Sequence, residues 1–138
     1  MMVVDASVWV AAFLMRDVHR EEVLAFLHRL IERGEAASVP SLALAEIGGA
    51  IARRSNAVEP ANRAVDFIRD QRWLEVVPID GALADAAARL AIAHRLRGAD
   101  AVYAALAATR GVPLVTLDRE MIDRAGGAFN SMLPADWK

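Results

Sequence analysis

Residues 96–118 read Leu96-Arg97-Gly98-Ala99-Asp100-Ala101-Val102-Tyr103-Ala104-Ala105-Leu106-Ala107-Ala108-Thr109-Arg110-Gly111-Val112-Pro113-Leu114-Val115-Thr116-Leu117-Asp118. The alanine-rich run from Asp100 predicts a helix to Arg110, closed by Gly111. Pro113 to Leu117 is short, apolar and partly β-branched, which predicts a buried strand. Asp118 then caps a short helix to about Ala125. Direction alone places the two acids. If the strand runs parallel to its neighbours, the helix feeding it must run the other way. Asp100 at the helix start and Asp118 at the strand end then share one edge of a sheet.

The rest of the chain repeats this alternation. Val3-Val4 before Asp5 reads as a buried strand, and Ser7 as the cap of a short apolar helix from Val8 to Met15. Glu21 to Arg33 is amphipathic, with Val23, Leu27, Leu30 and Ile31 on one face and Gly34 as its stop. Ala37-Ser38-Val39 predicts a second strand, and Pro40-Ser41 opens a helix through Arg54. Pro60 suits the first turn of a helix that runs to about Gln71. Trp73 to Ile79 predicts a third strand. Asp80 caps a long helix to about Arg97, ended by Gly98. A fifth, edge strand is expected near Phe129 to Leu133. No repeat or linker interrupts the pattern, so residues 1–138 read as a single α/β domain.

Composition narrows the function. The chain of 138 residues is 56% hydrophobic with a formal charge of −2, so it is globular and cannot hold nucleic acid by bulk charge alone. Any such substrate must be gripped by local arginines and by metal. Cysteine is absent, which removes disulfides and thiolate chemistry and fits a reducing cytoplasm. The one lysine is Lys138, so none is available inside the chain for a P-loop or a Schiff base. The longest apolar run, Val8 to Met15, is too short to cross a bilayer, and no membrane association is expected.

Four acids gather at the carboxyl edge of the expected sheet: Asp5 after strand one, Glu46 early in the helix after strand two, Asp100 and Asp118. Converged carboxylates repel one another unless a cation joins them. With no histidine in these motifs, a hard divalent ion such as Mg²⁺ or Mn²⁺ is the natural partner of oxygen-only ligands. Such ions can activate a water and steady the leaving oxygen of a phosphodiester. A plainer reading stands beside this one. Asp100, Asp118 and Ser7 sit where helix caps ordinarily sit, and Glu46 could face solvent.

Val3-Val4-Asp5-Ala6-Ser7, Glu46, the run Leu96 to Ala107 and Val115-Thr116-Leu117-Asp118 resemble, in order, the motifs of PIN domains, VapC-type toxins in particular. The resemblance implies a three-layer α/β/α sandwich around a parallel sheet of four to five strands in the order 3-2-1-4-5. It also implies a metal-dependent endoribonuclease, a homodimer, and a VapB-like antitoxin that masks the site. By that resemblance Asp5, Glu46, Asp100 and Asp118 are the acidic metal-site residues, supported by hydrogen bonds from Ser7 and Thr116. Asp123 in the short last helix either joins the metal site or faces solvent. Arg16, Arg20, Arg53, Arg54, Arg95 and Arg97 are the arginines that could hold an RNA backbone or simply form solvated helix faces, and Arg97 is singled out for its nearness in sequence to Asp100.

Other phosphate-handling classes fit less well. A phosphatase of the haloacid-dehalogenase type needs a second acid where Ser7 stands, and also an internal lysine. A receiver domain lacks the same lysine, and no glycine-rich GK[ST] exists for a P-loop. The remaining competitor is a PIN-like binding or dimerisation module with negligible catalysis. The full set of four acids argues against it, and thermal stabilisation by Mg²⁺ or Mn²⁺ would separate the two.

Overall fold

The structure is a computed structural model that describes residues 1–138. Five strands, β1 (Met2–Val4), β2 (Ala37–Pro40), β3 (Leu74–Val77), β4 (Leu114–Val115) and β5 (Ser131–Met132), form one sheet. Its order is β3-β2-β1-β4-β5, and every pairing is parallel. Helices α1 (Ala6–Phe13), α2 (Arg20–Glu32), α3 (Ala43–Ser55) and α4 (Val58–Asp70) connect the strands from β1 to β3. Helices α5 (Gly81–His94), α6 (Gly98–Arg110) and α7 (Arg119–Arg124) connect β3 to β4 and β4 to β5. Progression along the sheet reverses after β3. Right-handed crossovers therefore put α1 to α4 on one face and α5 to α7 on the other. This is the α/β/α sandwich, with the strand order, expected above.

β1 lies at the centre, and its residues are completely or nearly completely buried because both faces are covered. Trp9 of α1, Phe26 of α2 and Tyr103 of α6 are the largest side chains fully enclosed in the core. β1 is flanked by β2 and β4, which are reached by connections of opposite sense. The crevice beyond the carboxyl ends of β1 and β4 is thus the switch point at which open α/β sheets hold their ligands.

Several element ends differ from expectation, and each difference bears on the acids. Asp5, not Ser7, caps α1: its side chain accepts from the Ser7 N–H, and Ser7 falls inside the first turn. α1 stops at Phe13, short of Met15. α3 starts at Ala43, after Pro40-Ser41, so Glu46 belongs to its first turn. α5 ends at His94 because Arg95 takes a left-handed conformation with φ of 53°. Gly98 is consequently the first residue of α6 and not a stop, and Asp100 is the third residue, not the cap. Its carboxylate is not spent on closing its own helix.

Candidate active site

Asp5 is the most enclosed acid, with only 6% of the residue exposed. Three donors converge on its Oδ2: the Ser7 N–H at 3.2 Å, the Ser7 hydroxyl, and the Thr116 hydroxyl at 3.0 Å. Oδ1 is left as the freer oxygen. Ser7 Oγ in turn accepts from the Leu117 N–H at 3.1 Å, and Thr116 Oγ1 accepts from the Asp118 N–H at 3.0 Å. Two hydroxyls thus lace the end of β1 to the end of β4. They tie the Asp5 carboxylate to the backbone at Leu117 and Asp118.

Asp5, Glu46 and Asp100 are within electrostatic reach of one another, and Asp118 is within reach of Asp100. Burial pushes the Asp5 carboxyl above its ordinary value, against the hydrogen bonds from Ser7 and Thr116. Asp100 is raised by burial, then by the negative charges of Asp5 and Asp118, with Arg97 offsetting part of the effect. Burial also raises Glu46; the adjacent Tyr103 hydroxyl opposes this, and Asp5 and Asp100 raise it further. The helix after β2, the helix before β4 and the ends of β1 and β4 therefore converge as the topology requires. Asp118 keeps its capping role as well, with Oδ1 accepting from Glu120 N–H at 3.0 Å and Met121 N–H at 3.4 Å.

Three further features bear on the site. Glu120, two residues past Asp118, adds its charge to the field at Asp100, while Asp123 is exposed on α7. Glu120 also pairs with Arg124 one turn along. Tyr103, enclosed in the core, places its hydroxyl beside Glu46 and is pushed well above its ordinary value by burial and by the carboxylates. Yet neither Tyr103 Oη nor Glu46 Oε1 has a hydrogen-bond partner. Lastly, Arg53 lines a groove that also contains Ser7 and Glu46. Arg97 caps α6 and lines a small cleft with Asp100, Asp118 and Glu120, close to where it was expected.

The donor set suits a hard divalent cation. All the candidate ligands are oxygens, like charge raises two of them, Glu46 and Asp100, and Glu46 Oε1 is a buried acceptor without a hydrogen-bond partner. No three of the carboxylates stand close enough to hold one ion jointly. That spacing is compatible with Mg²⁺, which keeps several waters and uses one or two protein carboxylates.

An all-parallel sandwich with acids at its switch point defines a class shared by many phosphate enzymes, and comparison narrows it. The family model described as PIN domain matches residues 2–127, so the chain belongs to the PIN-domain family. No curated protein sequence matches it. Among solved structures it is similar to the sarcin-ricin loop cleaving toxin VapC20 of Mycobacterium tuberculosis, with a TM-score of 0.76 and 21% identity over 91% of this chain and 95% of that one. It is similar also to FitAcB from Neisseria gonorrhoeae, with a TM-score of 0.74 and 19% identity over 99% of each chain. A third likeness is to VapBC2 from Rickettsia felis bound to a promoter DNA fragment, with a TM-score of 0.73 and 15% identity over 96% of this chain and 97% of that one. At these identities the likeness is one of fold.

Proposed function

We propose that this chain is a divalent-metal-dependent endoribonuclease acting as the toxin of a VapBC-like pair in the cytoplasm. The observation that carries the reading is the clamped carboxylate of Asp5, coupled by charge to Glu46 and Asp100 and laced through Thr116 to Asp118. A structural cap needs none of that convergence. Asp5, Asp100, Asp118 and Glu46 would hold Mg²⁺ or Mn²⁺, one or two of them directly and the others through the waters of the ion. When bound, the ion would lower the pKa of an attacking water and neutralise charge on the phosphodiester. The chain's own groups do the rest. Ser7 and Thr116 hold the Asp5 carboxylate in one orientation. Glu46, raised by burial, would take a proton from water, and Arg97, which lines a cleft with Asp100 and Asp118, would contact a bound phosphate.

Two surfaces support the partners. An apolar groove of about 560 Å³ runs between α2 and α4, lined by Leu24, Leu27, Ile31, Phe67 and two tryptophans, Trp9 and Trp73. It suits the apolar face of a partner helix, as an antitoxin would supply. Ala84, Ala88 and Ile92 form an exposed stripe at four-residue spacing on α5, and Ile92 is 81% exposed; self-association would cover it. No helix is long and apolar enough to cross a membrane.

The decisive experiment incubates purified protein with cellular RNA in Mg²⁺ or Mn²⁺ and sequences the ends produced. New 5′-phosphate ends that vanish with EDTA and with Glu46→Gln are expected. Full cleavage in excess EDTA would overturn the metal reading. Thermal stabilisation by metal without any cleavage would favour a binding module instead.

A further inference from the structure

We propose that Arg53 is a positioning residue for the substrate strand, holding a phosphate next to the one attacked; this rests on the nuclease reading above. A groove of about 510 Å³ runs between α1 and α3. Ser7 and Glu46 form its inner end, and its floor is made of Ala6, Val10, Ala45 and Ala50. Small side chains leave room for a polymer. Arg53 lies seven residues beyond Glu46 on the same helix, about 10 Å along the axis at 1.5 Å per residue.

The side chain does not point away. A Cβ on Gly49 would stand 3.2 Å from Arg53 Nη1, so the guanidinium folds back over Gly49 towards Glu46. Glycine at 49 makes that approach possible. The neighbouring Arg54 is occupied differently, donating to Asp17 Oδ2 at 2.8 Å. Arg53 forms no ion pair. An unpaired guanidinium at the mouth of a groove that ends on catalytic acids is suited to a phosphate, which accepts its planar fork through two oxygens. On an acidic protein such a contact also helps to overcome the repulsion between RNA and the carboxylates.

The test compares wild type, Arg53→Ala and Arg54→Ala on a mixed-sequence, fluorescein-labelled single-stranded RNA. Binding is measured by anisotropy in EDTA across a KCl series, and cleavage in Mg²⁺. Arg53→Ala should raise KM about tenfold and leave kcat within about twofold. It should also flatten the slope of log K against log salt by about 0.7, the value for one contact to a single strand. Arg54→Ala should match wild type in all three. Unchanged KM and slope in Arg53→Ala, in a protein that still cuts RNA, overturns this assignment and leaves the nuclease intact. Equal effects in the two variants overturn it too, since general charge would then suffice. Wild type that neither binds nor cuts any RNA brings down the nuclease reading itself, and the inference with it.

Discussion

Thr116 Oγ1 donates to Asp5 Oδ2 at 3.0 Å and accepts from the Asp118 N–H at the same distance. One hydroxyl, with no exposed surface, therefore sets the separation of two acids that are 113 residues apart in the chain. Thr116→Val keeps the shape but removes both bonds, leaving the Asp118 N–H without its partner. Outer-shell changes of this kind reduce activity by about 10–100-fold. Thr116→Ser should restore most of it. The loss should appear as a weaker Mg²⁺ midpoint in cleavage assays. An unchanged midpoint would mean that the hydroxyl only fills space.

Stability of the metal-free protein should depend on pH in an unusual direction. Asp5, Glu46 and Asp100 are raised above their ordinary values, chiefly by burial. Each binds its proton more tightly folded than unfolded, so each opposes folding as pH rises through the interval between the two values. Glu75, held down by Arg110, acts in the opposite sense, and its contribution disappears only at lower pH. In EDTA the melting midpoint should therefore fall as pH rises above the ordinary carboxylate range of about 4, and saturating Mg²⁺ should remove the fall. A metal-free midpoint that climbs with pH above that range would contradict the convergence of the acids.

The sheet and most of the site were legible because they depend on direction. A parallel strand fed by a helix forces Asp100 and Asp118 to one edge, whatever the details of packing. Features that depend on helix phase and on single backbone angles were not legible. The left-handed turn at Arg95 moves Asp100 from a capping position to the third residue of α6, and nothing local marks Arg95 for that conformation. Glu120 rather than Asp123 reaches Asp100 because of where one short helix points its second residue. Arg53 is one of six arginines that could hold RNA or face solvent, and only its side chain lying over Gly49 distinguishes it from Arg54.

If the open acidic pocket is harmful, as the proposed toxin role requires, it needs a cover. Arginine suits such a cover, because its fork matches a carboxylate in a bidentate way. Expression of the wild-type chain alone should arrest growth, and Glu46→Gln should be tolerated. Co-expression with the adjacent open reading frame should relieve the arrest and yield a co-purifying complex, whose small partner carries an Arg or Lys close to Asp5 and Asp100. Wild type tolerated at high level without any partner, yet cutting RNA in the test tube, would refute the toxin role and spare the enzyme.

Asp80 and Asp118 separate local sequence from topology. Each follows an apolar strand and caps a helix: Asp80 Oδ1 accepts from the Leu83 N–H at 2.8 Å, and Asp118 Oδ1 from Glu120 and Met121. Each is even followed five residues later by another aspartate, Asp85 and Asp123. The sheet order distinguishes them, because β4 adjoins β1 whereas β3 lies two strands away at the edge. Of these two, it is Asp118 whose charge raises Asp100, together with Asp5 and Glu120. Asp118→Asn keeps a good cap, since Asn serves as well as Asp there, and it relieves repulsion at Asp100. It should cost more than about 100-fold in cleavage rate and leave the metal-free protein as stable or more so. Asp80→Ala should retain full cleavage and lose about 0.5–2 kcal/mol of stability with its cap. Cleavage rate and urea midpoint of the two variants decide the matter: activity lost at Asp80 and kept at Asp118 would move the chemistry to the wrong edge of the sheet and end the site assignment.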